Sequence, residues 1–162
     1  SAASDVYKRQ HFVFMTDGTP LLEAASQAKE LSYSPYSTFR VGCAALLEDG
    51  TIVQGANIEN ARTVREANSH LAVAVCAERS TLLRIKLDTG WRGQRILAMA
   101  VSSDIPNAPC TPCGVCRQAM REFCEMSMPV YFPTGQWRPG EQVLSLTLEQ
   151  LLPSSFGPEA LC

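Results

Sequence analysis

A three-layer α/β fold built on a mixed, largely parallel five-stranded sheet is what this sequence predicts, and three observations carry the prediction. From residue 19 onward, segments of strand length alternate with segments of helical periodicity, the order that builds crossover units. Residues 95–103 form a nearly continuous apolar run, which marks a central strand covered on both faces. Asp49-Gly50, between two alternating segments, signals an antiparallel hairpin ahead of the crossovers.

The elements follow in order. Thr19-Pro20 reads as a helix start, with Leu21, Ala24, Ala25, Ala28 and Leu31 at helical spacing behind it. Ser32-Tyr33-Ser34-Pro35-Tyr36-Ser37 breaks that helix with small polar and aromatic residues. Residues 39–47 and 51–58 are the two strands of the hairpin, and Asn57-Ile58-Glu59-Asn60 falls where the second one ends. A helix is predicted over residues 76–87, with Arg79, Leu83 and Leu87 in register and Thr89-Gly90 stopping it. After the central strand comes a loop with three prolines over residues 104–112, then a helix over 113–124. Its stripe is Val115, Cys116, Ala119, Met120, Phe123 and Cys124; Arg117, Gln118, Arg121 and Glu122 are expected to face out. Residues 130–132 and 142–147 supply the last strands, and Thr147 with Gln150 forms a capping box for a short helix.

Composition narrows the function classes. The chain has 162 residues, and we read residues 18–162 as a single domain and residues 1–17 as a disordered leader outside the fold. A net charge of −2 lacks the basic footprint of a polynucleotide binder. No apolar run approaches the roughly 20 residues of a membrane-spanning helix. Seven cysteines, an odd count with clustered spacing, argue against a secreted disulfide framework and for metal binding in a reducing, cytoplasmic compartment.

The chemistry concentrates in two motifs. Pro112-Cys113-Gly114-Val115-Cys116 opens a helix with two cysteines on one side of its first turn, where the helix dipole favours their thiolates. Cys76-Ala77-Glu78-Arg79 opens the other helix with a third thiol and a carboxylate two residues on. Both motifs follow a strand, at the sheet edge where open α/β folds bind ligands. Three thiolates suit a zinc centre that keeps a position open, and Glu78 just outside the ligand set suits proton transfer. Because Glu78 and Cys76 are separated by about 200° on a helix, they share a site only if it lies off the helix end. Arg79 can offset the charge of the thiolates. Cys110, three before Cys113, is the alternative ligand to Cys116 or Cys76, while Pro112 favours the pair Cys113 and Cys116. Cys43 and Cys124 read as core thiols, and His70 as a surface residue.

These two motifs resemble those of the zinc-dependent cytidine deaminases. Tyr33-Ser34-Pro35-Tyr36-Ser37, Phe39-Arg40-Val41-Gly42, Asn57-Ile58-Glu59-Asn60 and Leu151-Leu152-Pro153-Ser154-Ser155-Phe156-Gly157-Pro158 extend the resemblance, to the small homotetrameric nucleoside branch. It implies an α/β/α deaminase fold, one Zn2+ per subunit on Cys76, Cys113 and Cys116, and Glu78 as proton shuttle. It further implies pyrimidine contacts from the Ala77 backbone and Phe39, ribose contacts from Asn57 and Glu59, and a tail aromatic, Phe156, serving a neighbouring subunit. The implied reaction is hydrolytic deamination of cytidine and deoxycytidine in pyrimidine salvage, with a small nucleoside as the partner and neither polymer nor membrane.

One departure from the family's pattern is the segment 62–75, several residues longer than the usual link and without tyrosine or phenylalanine. It is either a surface excursion or a change at the subunit interface or pocket rim. Two other readings stand beside the first: a deaminase of the same fold acting on another cytosine-containing small molecule, and a catalytically impaired zinc-binding paralogue.

Overall fold

The computed structural model describes residues 11–13, 19–61, 74–88 and 94–161. Expectations for most of the leader, for residues 62–73, for the Thr89-Gly90 stop, and for His70 and Cys162 lie outside the described residues.

Six strands form one sheet among the described residues: β1 (His11–Val13), β2 (Val41–Leu47), β3 (Ile52–Ala56), β4 (Ile96–Ser103), β5 (Pro129–Phe132) and β6 (Val143–Thr147). Their order is β1-β6-β5-β4-β2-β3. The helices are α1 (Thr19–Ala28), extended by a 3-10 turn at Lys29–Leu31, α2 (Ala77–Asp88), α3 (Gly114–Phe123) and α4 (Leu148–Leu151). All five expected strands are present and the sheet is mixed. The leader expectation is corrected at His11–Val13, which pairs antiparallel with Val143–Ser145 as a sixth, edge strand.

The expectation of a largely parallel sheet is corrected too. Only β4 and β5 pair in parallel; β2–β3, β2–β4, β5–β6 and β1–β6 are antiparallel. The crossover through α2 does return the chain in the direction of β3, but β2 stands between β3 and β4. Residue Cys43 of β2 thus faces Gly55 on one side and Val101 on the other. Strands β3, β4 and β5 point the same way without all being neighbours.

Side-chain alternation sorts the strands into two cores. Cys43, Ala45, Leu47, Met99 and Val101 face α2 and α3, joined by Leu82, Ile85 and Met120. Ala44, Ala98 and Ala100 face α1 through Leu21, Leu22 and Ala25. The second core uses small residues, which let α1 approach the sheet closely. β4 is buried along nearly its whole length, as its sequence requires, with Leu97 the exposed exception. The cysteines read as core thiols are core thiols: burial pushes Cys43 up, and Cys124 to about 12.

Two helix faces differ from expectation. Leu83 and Leu87 are 54% and 77% exposed, because α2 buries Ala77, Glu78, Thr81, Leu82 and Ile85 instead. Polar anchors set that rotation: Ser80 Oγ donates to Ala56 O at 2.8 Å and Arg84 Nη1 to Gln54 O at 2.7 Å, both on β3. On α3, Val115 is exposed, while Arg117 and Arg121 are half-buried under the C-terminal segment. The capping box forms as read, with Gln150 N–H on Thr147 Oγ1 at 3.2 Å and Thr147 N–H on Gln150 Oε1 at 2.8 Å.

Gly42 shows how tightly α1 sits. A Cβ there would lie 2.3 Å from Ala25 O and 2.6 Å from Lys29 N, both backbone atoms. Gly42→Ala is expected to cost about 1–3 kcal/mol by overpacking, read as a lower urea midpoint at unchanged slope. An unchanged midpoint would contradict this packing.

Candidate active site

Because β3 and β4 run in the same direction, the helices that follow them begin at the same sheet edge. Cys76 precedes α2, and its carbonyl accepts from Ser80 N–H at 3.0 Å. Cys113 is the N-cap of α3 with extended backbone, and its carbonyl accepts from Arg117 N–H at 3.0 Å. Cys116 lies in the first turn of α3, fully buried. Val75 is pinned to Ile58 by two backbone hydrogen bonds of 2.9 and 3.0 Å, so the chain is tied to the end of β3 one residue before Cys76.

The Sγ atoms of Cys76, Cys113 and Cys116 all lie within 4.8 Å of one another, and those of Cys113 and Cys116 are 3.5 Å apart. Tetrahedral zinc with Zn–S bonds of about 2.3 Å separates its sulfurs by about 3.8 Å. The donor set fits that ion, and all six described cysteines are free thiols. Cys110 is half-buried beside them, but its sulfur stands outside the cluster.

The electrostatics favour the thiolate of Cys76. A hydrogen bond from Cys116, aided by Arg79 and opposed by burial, brings Cys76 down to about 5. Cys116, as donor in that pair and buried, is pushed up. Arg79 Nη2 donates to Ala74 O at 2.6 Å and faces Cys76 Sγ at 4.0 Å. Burial disfavours its charge, yet the sulfurs outweigh burial and hold it above its ordinary value. Glu78 is 4% exposed, and burial, with Cys76 beside it, raises its carboxyl to about 7.

A cleft of about 260 Å³ opens over the cluster. Of the residues read from sequence, Asn57, Glu59, Cys76, Ala77, Glu78 and Cys113 line it. Phe39, at 36% exposure, and Phe156, at 61%, do not. Asn57 is braced by backbone: Oδ1 accepts from Val41 N–H at 2.9 Å and Ser32 Oγ at 2.6 Å, and Nδ2 donates to Phe39 O at 2.9 Å. Glu59 gathers the loop before β2, accepting from Tyr36 N–H at 3.0 Å, Ser37 N–H at 3.2 Å and Ser37 Oγ. Tyr33 and Tyr36 are exposed, and neither lines the cleft.

Cys110, the alternative ligand of the sequence reading, also lines the cleft, as do Ile58 and Thr111, which that reading does not place at the site. For Cys110 a signal existed in its spacing from Cys113; Ile58 and Thr111 are placed by the fold alone.

Two outcomes follow. Cys110→Ser is expected to keep one zinc per chain, whereas Cys113→Ser loses it, as measured by metal analysis after desalting. Asn57→Ala leaves Val41 N–H and Phe39 C=O without that partner and is expected to cost about 1–3 kcal/mol of stability, measured by urea unfolding without substrate.

Comparison with known proteins places the site in context. Residues 15–132 match the family model described as the cytidine and deoxycytidylate deaminase zinc-binding region. A cytidine deaminase of Sporosarcina psychrophila is 38% identical over 145 residues, covering 90% of this chain and 95% of that protein. One from Halalkalibacterium halodurans is 38% identical over 144 residues, covering 88% and 96%. The crystal structure of cytidine deaminase from Burkholderia pseudomallei superposes with a TM-score of 0.70 at 35% identity, covering 88% of this chain and all of that one.

Proposed function

Because the chain belongs to the cytidine and deoxycytidylate deaminase zinc-binding family, we propose that it hydrolyses cytidine to uridine and ammonia, with one zinc ion per subunit on Cys76, Cys113 and Cys116. The observation that carries this reading is the three-sulfur cluster, of which Cys76 and Cys113 line a cleft together with the buried carboxylate of Glu78. When bound, the metal lowers the pKa of a water so that it attacks at neutral pH. The chain's own groups supply the rest. Burial raises the Glu78 carboxyl to about 7. It takes a proton from the attacking water and passes it to the 4-amino group, so C4 gains the oxygen and nitrogen leaves as ammonia. Arg79 offsets the negative charge that three thiolates gather.

Substrate contacts complete the reading. The Ala77 backbone and Phe39 hold the pyrimidine, and Asn57 and Glu59 hold the ribose. Asn57 keeps one amide hydrogen outside its three backbone and loop bonds. Deoxycytidine is a second substrate, and the role is in pyrimidine salvage. Homotetramer formation is supported by the exposed Leu83, Leu87 and Ile58, and it brings Phe156 to a neighbouring site. Thiol ligands are suited to the reducing cytoplasm. No helix among the described residues is long and apolar enough to cross a membrane.

The test is the ultraviolet absorbance change on converting cytidine to uridine, with zinc quantified. The parent is expected to turn over, and Glu78→Ala to lose about 10²- to 10⁴-fold in kcat while keeping its zinc. Parental turnover in the variant would sink the role of Glu78. No turnover by fully zinc-loaded parent would sink the substrate assignment.

A further inference from the structure

α3 carries the metal-ligand cysteines at its start and a polar row along one side. Three members of that row reach the C-terminal segment. Gln118 Nε2 donates to Phe156 O at 3.0 Å, and Arg121 Nε to Ser155 Oγ at 3.1 Å. Arg121 also pairs with Glu159, and its guanidinium lies against Gly157, where a Cβ would come within 2.2 Å of it. These contacts touch the tail alone.

Arg117 differs, because its guanidinium bonds in two directions. Nε donates to Pro112 O at 2.7 Å, and Nη2 makes a longer 3.5 Å contact with Thr111 Oγ1, both on the loop that carries Cys113. Nη1 donates to Leu151 O at 2.8 Å, a carbonyl at the end of α4 that has no further helical turn to bond. One planar fork with five donors can hold three acceptors at fixed angles; a lysine ammonium on a flexible stem cannot reproduce that geometry. Thr111 and Cys113 line the cleft, so the fork ties the cleft wall to the C-terminal segment.

We propose that Arg117 is a positioning residue that couples the C-terminal segment to the metal-ligand loop, holding the Thr111–Cys113 wall in the geometry that retains zinc. The zinc half of this rests on the proposed function; the coupling of loop and tail does not. Outer partners of metal ligands commonly change affinity or activity 10- to 100-fold when replaced.

The experiment compares parent, Arg117→Lys, Arg117→Gln and Arg121→Gln as purified full chains. Hydrogen exchange is followed by mass spectrometry in peptides covering residues 108–113 and 150–157, and zinc loss to a chromogenic chelator is timed. Both Arg117 variants are expected to speed exchange in both segments and zinc loss about tenfold. Arg121→Gln is expected to speed exchange in the tail only. Arg117→Lys preserves charge, so parental behaviour in that variant would overturn the proposal by making the effect one of charge. Equal zinc loss in Arg121→Gln would overturn it by placing the coupling in the tail as a whole. Should one Arg117 variant fail to fold, as seen by circular dichroism, the other carries the test. Should the parent hold no zinc, the metal reading fails and exchange in 108–113 still decides the coupling.

Discussion

The whole site depends on two helix starts meeting at one edge of the sheet. Cys76 and Cys113 are far apart in sequence, and their sulfurs meet because β3 and β4 run the same way and each is followed by a helix. β2 lies between those strands and is antiparallel to both, so β3 and β4 share a direction and their helices open at the same edge. A helix start supplies backbone N–H groups and the positive end of a dipole, which favour thiolate and carboxylate alike. The carboxylate of α2 therefore shares the cleft with the thiols without standing on the same helical face as Cys76.

Holding that edge together takes polar side chains aimed at backbone. Asn57 closes the end of β3 onto the start of β2, and Glu59 draws in the loop before it. Ser80 and Arg84 lock α2 to β3. Arg117 does the same for the loop entering α3. Their backbone partners lie at strand ends, in loops or on the outer edge of β3, where donors and acceptors lack ladder partners. Of these residues, Asn57 and Glu59 also line the cleft.

Charge is distributed with similar economy. Burying Glu78 beside sulfur raises its carboxyl, while a hydrogen bond from Cys116, aided by Arg79, lowers Cys76. Three thiolates would otherwise leave the centre strongly negative in a partly desolvated cleft. The arginine is placed by a carbonyl before α2, Ala74 O, rather than by another ion.

The sequence by itself determined the elements and the chemistry. Alternation at residues 41–47, the unbroken apolar run of β4, the Thr147–Gln150 capping box and the spacing of Cys113 and Cys116 are local signals, set by backbone periodicity and by short-range hydrogen bonding. The tertiary structure decided what depends on neighbours. It chose which face of α2 is buried, against the Leu83 and Leu87 stripe, because Ser80 and Arg84 find their acceptors on β3. It placed β2 between β3 and β4, which strand-helix alternation cannot reveal, since a crossover fixes direction and not adjacency. It also turned Arg117 and Arg121 from expected surface charges into anchors for the C-terminal segment. Their acceptors lie more than thirty residues away, and only the folded chain brings those carbonyls and side chains within reach.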